Sequence, residues 1–137
     1  MLTDIEGKTA VDLARKTIES FLEKGKINDR SDVDLPPIFK ELRGVFVTLT
    51  KNGMLRGCIG HPYPDSPLVS AIIDSAISAA TRDPRFPPVR SLEMKDISVE
   101  VTVLTQPERI DAPPQKFPEL IEIGRHGLIV KKGYYQG

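Results

Sequence analysis

The sequence predicts an α+β fold, a mainly antiparallel sheet packed with helices, on three observations. Two segments repeat apolar residues at helical spacing: Val11, Ala14, Ile18 and Leu22 in the first, Leu68, Ile72, Ala76 and Ala79 in the second. Residues 45–50 and 54–59 flank Lys51-Asn52-Gly53 as the arms of a hairpin, and Ile97 to Leu104 alternates apolar and polar residues. The elements follow one another as helix, hairpin, helix, strand, short helix, hairpin. That is not the strand–helix–strand repetition of a parallel sheet.

Each element has a local cause. Thr3 or Asp4 can cap the first helix, and Gly25 after Lys24 suits its C-terminus because glycine tolerates the left-handed conformation. A polar connection, residues 28–34, closes at Pro36-Pro37, and residues 38–42 add a short helical turn before Gly44. For the hairpin, a three-residue loop with Gly53 in a left-handed bulge gathers Val45, Val47, Leu49, Leu55 and Ile59 on one face. Phe46, Thr48, Thr50, Arg56 and Cys58 then share the other. A loop of Asn52-Gly53 alone mixes the faces. Ser66-Pro67 predicts the start of the second helix, with serine as cap and proline in the first turn, and Asp83-Pro84 its end. In the strand, Ile97, Val99, Val101 and Val103 face the core, opposite Ser98, Glu100 and Thr102. Pro113-Pro114 precedes a short helix over residues 117–123. A strand over 128–130, a turn at Lys131-Lys132-Gly133 and a return beginning at Tyr134-Tyr135 end the chain.

The chain has 137 residues, the length of one domain with a core that needs no disulfide or metal. Its 19 Lys+Arg balance 19 Asp+Glu, which argues against a generally basic nucleic-acid or membrane binder. No apolar run approaches the ~18 residues of a membrane-spanning helix. A single cysteine permits no internal disulfide and points to a reducing, cytoplasmic setting.

Leu55-Arg56-Gly57-Cys58-Ile59-Gly60 is the segment richest in chemistry. Alternation puts Arg56 beside Cys58, and a guanidinium near a thiol favours the thiolate. A free cysteine with a pKa of ~8.5 is only ~3% ionised at pH 7, and lowering it to ~7 makes half of it nucleophilic. Cys58 and Arg56 are therefore the candidate catalytic pair. Gly57 leaves backbone open to a ligand, and His61 supplies a base if the loop folds back. The alternative is a small buried cysteine with glycines that serve packing. Residues 81–88, Thr-Arg-Asp-Pro-Arg-Phe-Pro-Pro, form a second cluster. As a site it is a stiff loop in which Asp83 orients Arg85 toward an anion beside Phe86. As structure it is a helix stop fixed by prolines. One cysteine and two histidines give no metal site, no phosphate loop or dinucleotide fingerprint is present, and no cofactor is implied. Glu100 is a possible base on the solvated face of its strand. The arginines at 43, 56, 82, 85 and 90 lack the aromatic strand motif of an RNA binder.

The six-residue cysteine motif, with Val45-Phe46-Val47-Thr48-Leu49 before it, resembles the signature of the AMMECR family. Asp83-Pro84-Arg85-Phe86-Pro87-Pro88, the strand from Ile97 to Leu104, and Gly124-Arg125-His126-Gly127-Leu128 continue the likeness along nearly the whole chain. The resemblance implies two subdomains about a cleft lined by the cysteine motif. It implies a role in RNA or protein modification, with Memo-type and radical-SAM proteins as associates; joined to the reading of Cys58 and Arg56, the expected function is a cysteine-dependent enzyme or an accessory protein in such modification. It carries over Arg56, Gly57, Cys58, Asp83, Arg85 and Phe86 as site positions. A noncovalent module for a small anion, nucleotide or RNA, or a protein-interaction module, are the other expectations. Domains of this family continue past the point where this sequence stops, so residues 1–137 are expected to be one such domain lacking its C-terminal segment. A strand left unpaired there would invite pairing with another chain.

Overall fold

The structure, a computed structural model, describes residues 2–27 and 34–105, and the backbone at 131–132 and 135–136. The chain divides into two units, Met1–Gln106 and Pro107–Gly137. The first unit is α+β, as its sequence predicts.

Helix α1, Asp4–Lys24, opens with a capping box. Glu6 N–H donates to Thr3 Oγ1 at 3.2 Å, and Thr3 N–H donates to Glu6 Oε1 at 2.9 Å. Gly25, with φ 66°, closes it in the left-handed region. A 3-10 turn over Pro37–Lys40 buries Phe39 and leads into β1, Val45–Lys51, and β2, Met54–His61. Helix α2, Leu68–Thr81, follows. A second 3-10 helix, Ser91–Asp96, precedes β3, Ile97–Val103. The antiparallel sheet has the order β2-β1-β3. Both helices pack on one face of it, α2 over β1 and β2 and α1 over β3. Val45, Val47 and Leu49 of the central strand meet Leu13, Ala14 and Ile18 of α1 and Leu68, Ile72 and Ala76 of α2 in the core.

The hairpin differs from its expected register in an informative way. The loop is Asn52-Gly53 alone, with φ 51° and 79°, and Lys51 pairs with Met54. The mismatch is absorbed by a bulge: Thr50 pairs with Leu55, but Leu49 pairs with Gly57, which leaves Arg56 as the extra residue. Beyond the bulge Val47 pairs with Ile59 and Thr48 with Cys58, so the expected faces return. Leu55, on the wrong side of the bulge, is exposed instead of sharing the core face.

Two smaller expectations also change. Ser66 does not cap α2; the Leu68 N–H donates to the Glu41 carbonyl at 2.8 Å, so an incoming loop satisfies the helix start. In the second unit, β4 (Lys131–Lys132) pairs antiparallel with β5 (Tyr135–Gln136). Both lysines are strand, not turn. The polar connection at 28–33, the helix over 117–123 and the strand over 128–130 lie outside the described residues.

Candidate functional site

Cys58 sits in β2, whose outer edge no strand covers among the described residues. The loop leaving α2 covers it with side chains. The Cys58 N–H donates to Asp83 Oδ2 at 3.0 Å, and the Cys58 carbonyl accepts from Arg85 Nη2 at 3.4 Å. A carboxylate and a guanidinium thus stand where a neighbouring strand would offer its own acceptor and donor. Asp83 is buried and holds Arg85 in turn. Its Oδ1 accepts from Arg85 N–H at 3.1 Å and from Nε at 3.0 Å, and its Oδ2 accepts from Nη2 at 2.7 Å. These bonds from the Arg85 side chain hold the Asp83 carboxyl well below the usual carboxylate range. Burial opposes them, and the Cys58 N–H adds to them. Arg85 is pushed above its ordinary value by the same pairing. Its side chain is 55% exposed, its guanidinium carbon lies 5.4 Å from the centre of the Phe86 ring, and its Nη1 makes no hydrogen bond among the described residues.

Because both backbone groups of Cys58 point outward, Thr48 and Cys58 form a non-hydrogen-bonded pair, the kind with the closest side chains. Thr48 Oγ1 lies 3.2 Å from Cys58 Sγ. On the other side of β1, Thr48 pairs with Glu100 of β3. A thiol, a hydroxyl and a carboxylate thus form one row across three strands, on the sheet face away from the helices. Cys58 and Thr48 are half-buried and Glu100 is exposed.

The guanidinium nearest Cys58 in these contacts is that of Arg85, not of Arg56. Arg56, displaced by the bulge, turns to Glu93, with Nε to Oε1 and Nη2 to Oε2 both at 3.2 Å. Its Nη1 and Nη2 donate to the carbonyls of Pro87 and Pro88 at 2.8 and 3.3 Å. Arg56 therefore ties the far end of the arginine loop to the strand. Glu93 also accepts from the Arg90 N–H at 2.7 Å and from Lys51 Nζ at 3.0 Å. The Arg90 N–H, ahead of Arg56 and Lys51, holds its pKa down to about 2 against the opposing effect of burial.

The side of Gly57 where a side chain would project is filled by α2. A Cβ there would stand 2.2 Å from the Ala79 carbonyl oxygen. The glycine thus lets strand and helix approach each other, and on that side it offers no opening to a ligand. His61 lies an odd number of residues from Cys58, on the other side of the strand, and its Nε2 meets Asp74 Oδ2 at 2.5 Å. The arginines do not converge. Arg43 Nε donates to the Leu104 carbonyl, Arg82 stands near Asp74, and Arg56 and Arg85 have the partners given above. Among the described residues no group of three or more His, Cys, Asp or Glu is arranged to hold a metal. No helix there is long and apolar enough to cross a membrane.

Sequence reading names Cys58, Asp83, Arg85 and Phe86 as candidates in two separate clusters, and the structure brings Cys58, Asp83 and Arg85 into contact. Sequence reading misses Glu93 and Asp74, whose partners are distant in the chain. Thr48 is placed on the right face by alternation, but its contact with Cys58 depends on the bulge.

Fold and site together define a class: an α+β domain that presents a cysteine from an edge strand held by an Asp-Pro-Arg loop. The chain belongs to the AMMECR1 family, whose family model matches residues 11–137. It is 70% identical over its whole length to a protein of Methanococcoides burtonii and 68% identical to one of Methanosarcina mazei, of which it covers 68% and 70%. The crystal structure of the uncharacterised protein PH0010 from Pyrococcus horikoshii matches 99% of the chain with a TM-score of 0.94 and 49% identity. The match covers 69% of that chain.

Proposed function

We propose that this protein is a cysteine-dependent enzyme in which Cys58 is the nucleophile and Arg85 receives an anionic group of the substrate. One observation carries the reading: Arg85 is fixed by a buried carboxylate against the residue that bears the thiol, while its Nη1 stays available. Arg85 keeps that pair of donors for a carboxylate or phosphate. An anionic group held by Nη1 would be brought to the residue that carries the nucleophile. Phe86 supports the guanidinium plane. Arg56 becomes a positioning residue that holds the loop through the Pro87 and Pro88 carbonyls. A substrate presenting phosphate or carboxylate fits the expected role in RNA or protein modification.

The test compares two alkylating reagents of similar size, anionic iodoacetate and neutral iodoacetamide. The native protein is expected to favour iodoacetate more than its urea-unfolded chain does, and Arg85→Gln to remove the preference. An unchanged preference in Arg85→Gln contradicts the anion site. A native thiol inert to both reagents contradicts the nucleophile, and leaves Arg85 as the centre of a noncovalent anion-binding module.

A further inference from the structure

We propose that Glu100 is the proton acceptor for Cys58, acting through the Thr48 hydroxyl. The inference rests on Cys58 being the nucleophile and adds the base that the cysteine motif lacks. His61 is engaged with Asp74 on the other side of the strand. Among the described residues Asp83 and Arg85 contact Cys58 at its outer edge, and Glu100 stands in its row two strands inward. Asp83 is buried in its pairing with Arg85 and, held anionic by it, is a poor base. Glu100 makes no hydrogen bond or ion pair among the described residues and is open to solvent.

The register makes the connection. The outward backbone of Cys58 makes Thr48–Cys58 a close pair, and Thr48–Glu100 is then the hydrogen-bonded pair on the other side of β1. The Leu104 N–H to Gly44 carbonyl bond, four residues along the same ladder, has the matching phase. All three side chains project from the same face, with neighbouring Cβ atoms about 5 Å apart. Thr48 Oγ1 already touches Sγ at 3.2 Å. Glu100 reaches Thr48 Oγ1 by rotating its exposed side chain along the row; as Sγ then attacks an electrophile, its proton passes to Thr48 Oγ1 and the Thr48 proton passes to the Glu100 carboxylate. The threonine ends neutral, Glu100 ends protonated, and the sulfur electron pair forms the new bond as the leaving group departs. Only one negative charge is present in the row at any stage of the transfer.

Simple electrostatics and the relay predict opposite signs. If Glu100 were only a nearby negative charge, Glu100→Gln would relieve repulsion of the thiolate and speed alkylation at neutral pH. The relay predicts that Glu100→Gln slows iodoacetamide alkylation of the native protein at pH 6–7 by roughly ten-fold. Thr48→Val is expected to slow it similarly and Thr48→Ser to restore it. At high pH, where hydroxide removes the proton, all variants converge. Both positions lie on the sheet face away from the helices and Val matches the shape of Thr, so circular dichroism of each variant reports whether the fold is kept. An equal or faster rate in Glu100→Gln, in a protein whose native thiol is reactive, overturns the relay and leaves the nucleophile standing. An inert native thiol in the unmodified protein removes both.

Discussion

Asp83 shows how one residue can serve fold and site together. Its carboxylate accepts the Cys58 N–H that no strand among the described residues takes up and fixes the guanidinium that covers the Cys58 carbonyl. Asp83→Ala leaves that N–H without its partner and frees Arg85 from its support. The expected loss is about 2 kcal/mol, the cost of an unsatisfied buried donor, read as a lower urea midpoint at unchanged slope. Cys58→Ser keeps both backbone bonds and is expected to unfold within about 1 kcal/mol of the parent. A much larger loss would mean that the sulfur is a packing element. This part of the site was legible because Asp83 and Arg85 are sequence neighbours in a stiff loop. The position of Arg56 was not, since one extra residue in a strand redirects a side chain without altering its alternating pattern.

At the scale of elements, the contact between β2 and α2 is limited by backbone approach. A methyl at Gly57 meets the Ala79 carbonyl oxygen at 2.2 Å, so Gly57→Ala must push strand and helix apart. A destabilisation of about 1–3 kcal/mol is expected, the range for overpacking a close contact. Because the strand carries Cys58, the native alkylation rate should change with it. The two helices hold the opposite case. Thr17 Oγ1 and Ser75 Oγ are buried with no hydrogen-bond partner among the described residues. Thr17→Val and Ser75→Ala remove a buried polar atom with little change of shape. Each is expected to be neutral or to raise the melting temperature; a clear fall would show that the hydroxyls have a polar role. Helix limits, strand alternation and the hairpin were readable because they follow from local periodicity and turn chemistry. The 3-10 helix at Ser91–Asp96 was not, since Glu93 organises it through Arg90, Lys51 and Arg56 from three parts of the chain.

For the whole molecule, this carboxylate network sets the response to acid. Glu93 has its pKa held down to about 2 in the fold against 4.5 for the free group, and Asp83 is lowered as well. The unfolded chain therefore binds more protons than the native one in acid. The stability these groups contribute is present in full above about pH 5 and is lost as pH falls toward their folded values. Thermal unfolding between pH 6 and pH 2.5 should give a steep acid limb that is flatter in Glu93→Gln, from a lower starting point. An unchanged limb would mean that Glu93 does not couple folding to pH. The account as a whole depends on the state of one thiol. The most direct measurement is the pH dependence of iodoacetamide alkylation of Cys58 in the native protein, with the urea-unfolded chain as reference. The account predicts a native thiol that reacts faster than the unfolded one at neutral pH. A native thiol that reacts only when the protein unfolds would contradict it, making Cys58 a packing residue and leaving the arginine loop as a noncovalent anion site.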